Sequence, residues 1–220
     1  MTFPYYNRLS PRQKAIYRQS DAVAEIRLPD PSAMRPLVGA LRAALAEDAR
    51  PQVSRAVQAL SQELLAQLEV PPLMVKVLAV RPSRSWGELH GLYTSSEARP
   101  AEIRVWMRTA RHRRVVAFRT FLRTLLHELC HHLDYPALKL GDSYHTEGFF
   151  RRESSLFRQL APESPRGSRV APARVPPASP TRERTTAAAT DARATPGRRK
   201  PSAPAEDGRQ GRLPFDTETE

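Results

Sequence analysis

Apolar side chains recur at helical spacing over two early stretches: Leu37, Leu41 and Leu45, then Val53, Val57, Leu60, Leu64 and Leu68. Pro51 stands between them, where it suits the first turn of a second helix. Residues 36–69 thus predict two amphipathic helices. Pro71 and Pro72 end the second, and Leu73–Val80, rich in Val and Leu, predicts a strand. After a turn at Arg81–Ser85, Trp86–Tyr93 predicts another strand, weakened by Gly87 and Gly91. From Glu102 to Met107, Ile103, Val105 and Met107 alternate with Arg104 and Trp106, the pattern of a strand with one buried face.

Between Val115 and Leu133 the period changes to that of a helix. Phe118, Leu122, Leu125, Leu129 and Leu133 fall on one stripe, with Val115 and Leu126 at its edge, so this face must meet the core. Pro136 ends the segment, Leu138–Ser143 reads as a loop, and a last helix is expected from near His145 to Leu160. The elements together predict an α+β fold: N-terminal helices, a short mixed sheet and two C-terminal helices.

Composition sets the limits of that fold. Residues 161–220 hold ten of the 21 prolines and few large apolar residues, too little to offset the entropy of ordering the chain. A disordered tail is expected there. Residues 1–72 read as an N-terminal helical part and 73–160 as the core of one domain.

The formal net charge is +12, and most of the basic excess lies before residue 161. Such a surface permits weak contact with nucleic acid, which Arg-rich composition alone also produces without function. Cys130 is the only cysteine, which rules out a disulfide or a Cys-rich zinc ribbon within this sequence. Neither a secretory apolar segment near the first residues nor a membrane-length apolar run is visible. No membrane partner and a cytoplasmic setting are therefore expected.

The chemistry concentrates in His127-Glu128-Leu129-Cys130-His131. Histidines at i and i+4 stand one above the other on a helix, so both imidazoles can reach one ion at about 2.0–2.1 Å. His127 and His131 project almost opposite the leucine stripe, in line with Thr120 and Thr124. Glu128 is turned to the flank, where a carboxylate can meet water at the metal without ligating it, which suits a general base. The alternative is a chance match on a solvated helix face. The amphipathic helix around the motif favours Zn2+ binding.

A catalytic zinc needs a third protein ligand and an open position. His145 is the leading candidate, with thirteen residues between it and His131 for a loop to turn back. On the expected last helix it shares an inward face with Phe149, Leu156 and Leu160, with Glu153 at the edge. Glu153 is either a partner behind a ligand or an alternative ligand, while Glu147 points outward. His132 reads as a partly buried, hydrogen-bonded histidine and Cys130 as a packed thiol. Asp134 suits either a hydrogen bond to a ligating histidine or solvation at the helix end. Tyr144 suits packing or an oxyanion contact.

In these residues the chain resembles the zincin metallopeptidases, and within them the SprT-like group. The resemblance spans roughly residues 73–160 and rests on Leu125–His132, on His145-Thr146-Glu147-Gly148-Phe149, and on the strand Ile103–Met107 ahead of the helix. It implies a zincin-like domain with His127, His131 and His145 as zinc ligands, Glu128 as general base, and a polypeptide substrate laid along an edge strand near Arg104–Met107. It also implies proteolysis of DNA-bound protein, although the Cys-rich ribbon of some relatives is missing here. The expected function is a zinc-dependent metallopeptidase. The alternative is a non-catalytic zinc-stabilised module that binds nucleic acid or a protein through its basic surface. Glu128 favours the enzyme, because a structural site needs no base.

Overall fold

A computed structural model of the chain describes residues 3–84, 87–96 and 99–162. The described residues form an α+β fold of five α-helices, a three-stranded sheet and a two-stranded ribbon. Apart from Ala161 and Pro162, the expected tail lies outside them. Ala161 is buried against the core, so the folded part runs one residue past the expected boundary.

A short 3-10 turn, Pro4–Arg8, leads into α1, Pro11–Ala22. The start of α1 is closed by a capping box: Ser10 Oγ accepts from Gln13 N–H, and Gln13 Oε1 accepts from Ser10 N–H. Helices α2, Arg35–Ala46, and α3, Arg50–Gln67, occupy the expected stretch, each with proline in its first turn. Strand β1, Met74–Val80, follows the proline pair.

The single strand expected at Trp86–Tyr93 is instead broken. Ser83–Arg84 (β2) pairs antiparallel with Gly87–Glu88 (β3), and a longer strand, β4, begins only at Gly91 and runs to Ser96. Trp86 itself lies outside the described residues. Gly87, the first residue of β3, has φ +135°, which a side chain rarely tolerates. Strand β5, Arg99–Arg108, is longer than the alternation predicts and is the centre of the order β1-β5-β4. It pairs parallel with β1 and antiparallel with β4. Trp106, expected on the solvent side, is only 7% exposed, beside Leu78 of β1.

Val75, Val77, Ile103, Val105 and Met107 line one face of the sheet, and α3 covers it with Val53, Val57, Leu60 and Leu64. Helix α4, Phe118–Asp134, adds Leu122, Leu125, Leu126 and Leu129 to the same core. It starts three residues later than the periodicity predicts, because Val115 bridges to Arg108 and Val116 N–H donates to Met107 O. Helix α5, Glu147–Leu160, packs on α4 and α1. Among the described residues no helix is long and apolar enough to cross a membrane.

Gly148 marks how tightly α1 and α5 meet. A Cβ there would lie 2.4 Å from Asp21 O and 2.6 Å from Ser20 O, both backbone atoms that cannot swing aside. Gly148→Ala should therefore cost about 1–3 kcal/mol through overpacking. Chemical denaturation would check this, and an unchanged midpoint would show that the two helices can separate at no cost.

Candidate metal centre

The site is made where α4 meets the loop before α5. With its leucine face buried, α4 turns His127 and His131 to the opposite side, one turn apart. His145 arrives from the other direction. It is not on the last helix as expected: Thr146 is the N-cap of α5, its hydroxyl accepting from Phe149 N–H at 2.9 Å, so His145 precedes the helix. Ser and Thr start helices by this bond, and the cap itself stays extended, as Thr146 does.

From that loop, His145 Nε2 lies 2.9 Å from His127 Nε2 and 3.1 Å from His131 Nε2. Among the described residues these three are the group able to hold a metal ion, with one ligand atom from each within 4.8 Å of the others. Tetrahedral nitrogen ligands at about 2 Å from an ion stand about 3.3 Å apart, close to the spacing here. Phe149, fully buried, backs the site, its ring 5.0 Å from His127, 4.7 Å from His131 and 5.1 Å from His145.

The remaining ring nitrogens are occupied in a way that leaves the converging ones available. His127 Nδ1 lies 3.2 Å from Glu153 Oε2, and Glu153 Oε1 accepts from Arg123 Nη1 at 3.3 Å. Glu153 thus stands behind His127 as a partner of a ligand. His131 Nδ1 lies 2.7 Å from Ser143 Oγ, which donates to Asp134 Oδ2 at 2.6 Å. Because Ser143 gives its own proton to Asp134, its oxygen accepts from His131 Nδ1–H, and this tautomer puts the lone pair on Nε2.

Asp134 is in turn bound by Arg152 Nη2 at 2.8 Å, and both side chains are fully buried. Arg152 also donates to Ser20 O and Val23 O, each at 2.6 Å. Burial holds His131 down to about 2 and His145 down to about 4, with the neighbouring imidazoles adding to the effect. Both rings are therefore neutral at physiological pH, the form that binds metal.

Glu128 sits on the flank, 7% exposed. Burial pushes its carboxyl up to about 7, against the opposing influence of His127 and of the Tyr93 backbone N–H. Its place is made by Gly91 on β4: a Cβ there would stand 2.3 Å from Glu128 Oε1. This contact corrects one expectation. Arg104–Met107 belongs to the central strand β5, paired on both sides, and the edge strand beside the site is β4.

Other expected residues take plain positions. His132 is buried, its Nδ1 3.2 Å from Tyr93 Oη and its Nε2 3.2 Å from Pro71 O. Cys130 is fully buried, and desolvation pushes its thiol up. Glu147 is half-exposed and bonds Arg151 one turn on. Tyr144 packs among aromatic rings, 6.5 Å from Tyr5 and 6.3 Å from Tyr17. The residues that sequence reasoning misses are Ser143, Arg152, Gly91 and Tyr5. None has a local pattern that announces it.

Comparison with protein-family models, with curated proteins and with solved structures finds no match for this chain.

Proposed function

We propose that the chain is a zinc-dependent metallopeptidase of the zincin type, SprT-like in kind, with His127, His131 and His145 as ligands and Glu128 as general base. One observation carries the reading. Three imidazoles converge through Nε2, and a buried carboxyl on α4, the helix of two of them, lies beside them without being used to hold them. Three imidazoles are a ligand set of catalytic zinc, which keeps a fourth position open. When bound, the ion supplies Lewis acidity toward water and toward a carbonyl oxygen.

The chain's own residues do the rest. Glu128, buried on the flank of the three rings, is placed to accept a proton from the attacking water and return it to the leaving amine. Ser143 and Glu153 keep the two helix-borne rings from turning. The edge strand β4, next to Glu128, can take an extended polypeptide as an added strand. The lone, buried Cys130 fits a reducing, cytoplasmic setting.

A second reading, a zinc-stabilised module that binds nucleic acid, is favoured by one feature. Arg111, His112, Arg113 and Arg114 are all exposed on the turn between β5 and α4. Affinity there would rest on phosphate contacts and fall with salt.

The test is direct. The purified full-length chain should carry one zinc ion and cleave an unfolded polypeptide, lose cleavage with a chelator, and regain it with added zinc. Retained zinc with no cleavage of any unfolded or nucleic-acid-bound polypeptide would sink the peptidase reading and leave the second.

A further inference from the structure

His145 is the one member of the triad that no regular element positions. A ligand on a loop needs restraint from outside, and the N-terminal segment supplies it. We propose that Phe3–Asp21 acts as a strap that sets the third imidazole, with Tyr5 as the positioning residue for His145. The inference rests on reading His145 as a metal ligand.

The contacts lie on both sides of His145. The Tyr5 hydroxyl donates to the His145 carbonyl at 2.8 Å, across 140 positions of sequence. The Tyr5 ring stacks on Tyr144, the preceding residue, at 6.5 Å and 29°. Phe3 meets Phe150 at 5.9 Å, and Phe150 lies parallel to the His145 ring at 5.7 Å and 14°. One short segment therefore touches the ligand's carbonyl, its neighbour and the ring stacked on it.

The strap has its own anchor. Phe3 N–H donates to Tyr17 Oη at 3.3 Å, and the rings of Tyr5 and Tyr6 stand edge-on to Tyr17 at 6.0 and 4.9 Å. Tyr17 is 1% exposed and belongs to α1. The end of α1 then fixes the residues that follow His145: Ser20 Oγ lies 3.3 Å from Thr146 Oγ1, and Asp21 Oδ1 accepts from Gly148 N–H at 2.9 Å. His145 is thus clamped before and after by residues far outside the stretch that carries the zinc motif. A main-chain bond to a loop ligand limits how far its imidazole can retreat from the other two, so its loss should speed the release of the ion.

Tyr5→Phe removes the hydroxyl and keeps the ring. In the full chain, zinc affinity measured by competition with a chromophoric chelator should fall about tenfold, the low end for loss of an outer partner of a ligand. Tyr6→Phe, whose hydroxyl serves Arg18, should leave affinity unchanged. In a His145→Ala background, Tyr5→Phe should cost no further affinity, because its effect passes through His145.

If the parent binds zinc and Tyr5→Phe binds it equally well, the strap inference is overturned while the ligand reading stands. A lower metal-free thermal midpoint in Tyr5→Phe without loss of zinc affinity overturns it too, since that marks packing alone. A parent chain that binds no zinc removes both readings together.

Discussion

Glu128→Gln is expected to lower cleavage by about 10² to 10⁴-fold, the contribution of a positioned general base, while zinc stays in place. The substitution keeps the size and shape of a side chain that is 7% exposed and fits against Gly91. What it removes is the ability to accept a proton. The carboxyl is not among the three groups that converge as ligands, so the metal should remain bound at the parental level. Stability should hold or rise slightly, because a neutral amide avoids the desolvation that lifts the Glu128 carboxyl. Turnover of an unfolded polypeptide and zinc content, measured on the same sample, decide the matter. Zinc-dependent cleavage at the parental rate would show that another group takes the proton.

Asp134→Ala should strike stability and metal binding together. Asp134 and Arg152 form a fully buried ion pair, and Arg152 Nε is already without a hydrogen-bond partner. Burial lifts the Asp134 carboxyl above the ordinary aspartate range even though Arg152 pulls it down, so the pair is costly to bury. Deleting one partner is worse than never having the pair, since it strands the other charge at a cost of about 3–5 kcal/mol. That is a large share of the 5–15 kcal/mol typical of a domain and should lower the thermal midpoint by on the order of 10 °C.

Metal affinity should fall as well, by about 10 to 100-fold, because Ser143 loses the acceptor that makes it an acceptor for His131. A paired replacement separates the two effects. Asp134→Leu with Arg152→Met should recover much of the stability and none of the affinity. Recovery of both would mean that Asp134 affects the metal only through the fold.

Much of the framework is legible from periodicity. Helices α2, α3 and α4 bury one stripe each, and a repeated apolar spacing records that directly. The pairing of His127 with His131 follows from the same geometry, because four residues along a helix is one turn wherever the helix sits. Helix α1 is harder to see, since of its residues only Tyr17 and Ser20 are buried. Its local signs are the capping box of Ser10 and Gln13 and the proline in its first turn, neither of which needs an apolar stripe.

Contacts across the fold carry no such record. Spacing allows His145 to reach His127 and His131, but the four-residue step to Phe149 imitates a helix, and only the Thr146 cap shows that the helix starts after His145. Strand order likewise depends on which edges pair. Alternation marks Ile103–Met107 as a strand, yet pairing with both β1 and β4 makes it the centre of the sheet and gives the edge beside Glu128 to β4. Residues that orient the triad, Tyr5 at 140 positions from His145 and Arg152 at 132 from Ser20, meet only when the chain closes. The helix, its two histidines and the adjacent carboxyl are written in local spacing, because each needs no more than the helical repeat. The setting of the third imidazole, the tautomer of His131 and the burial of Glu128 arise when the chain closes, because they depend on partners distant in sequence and on exclusion of water.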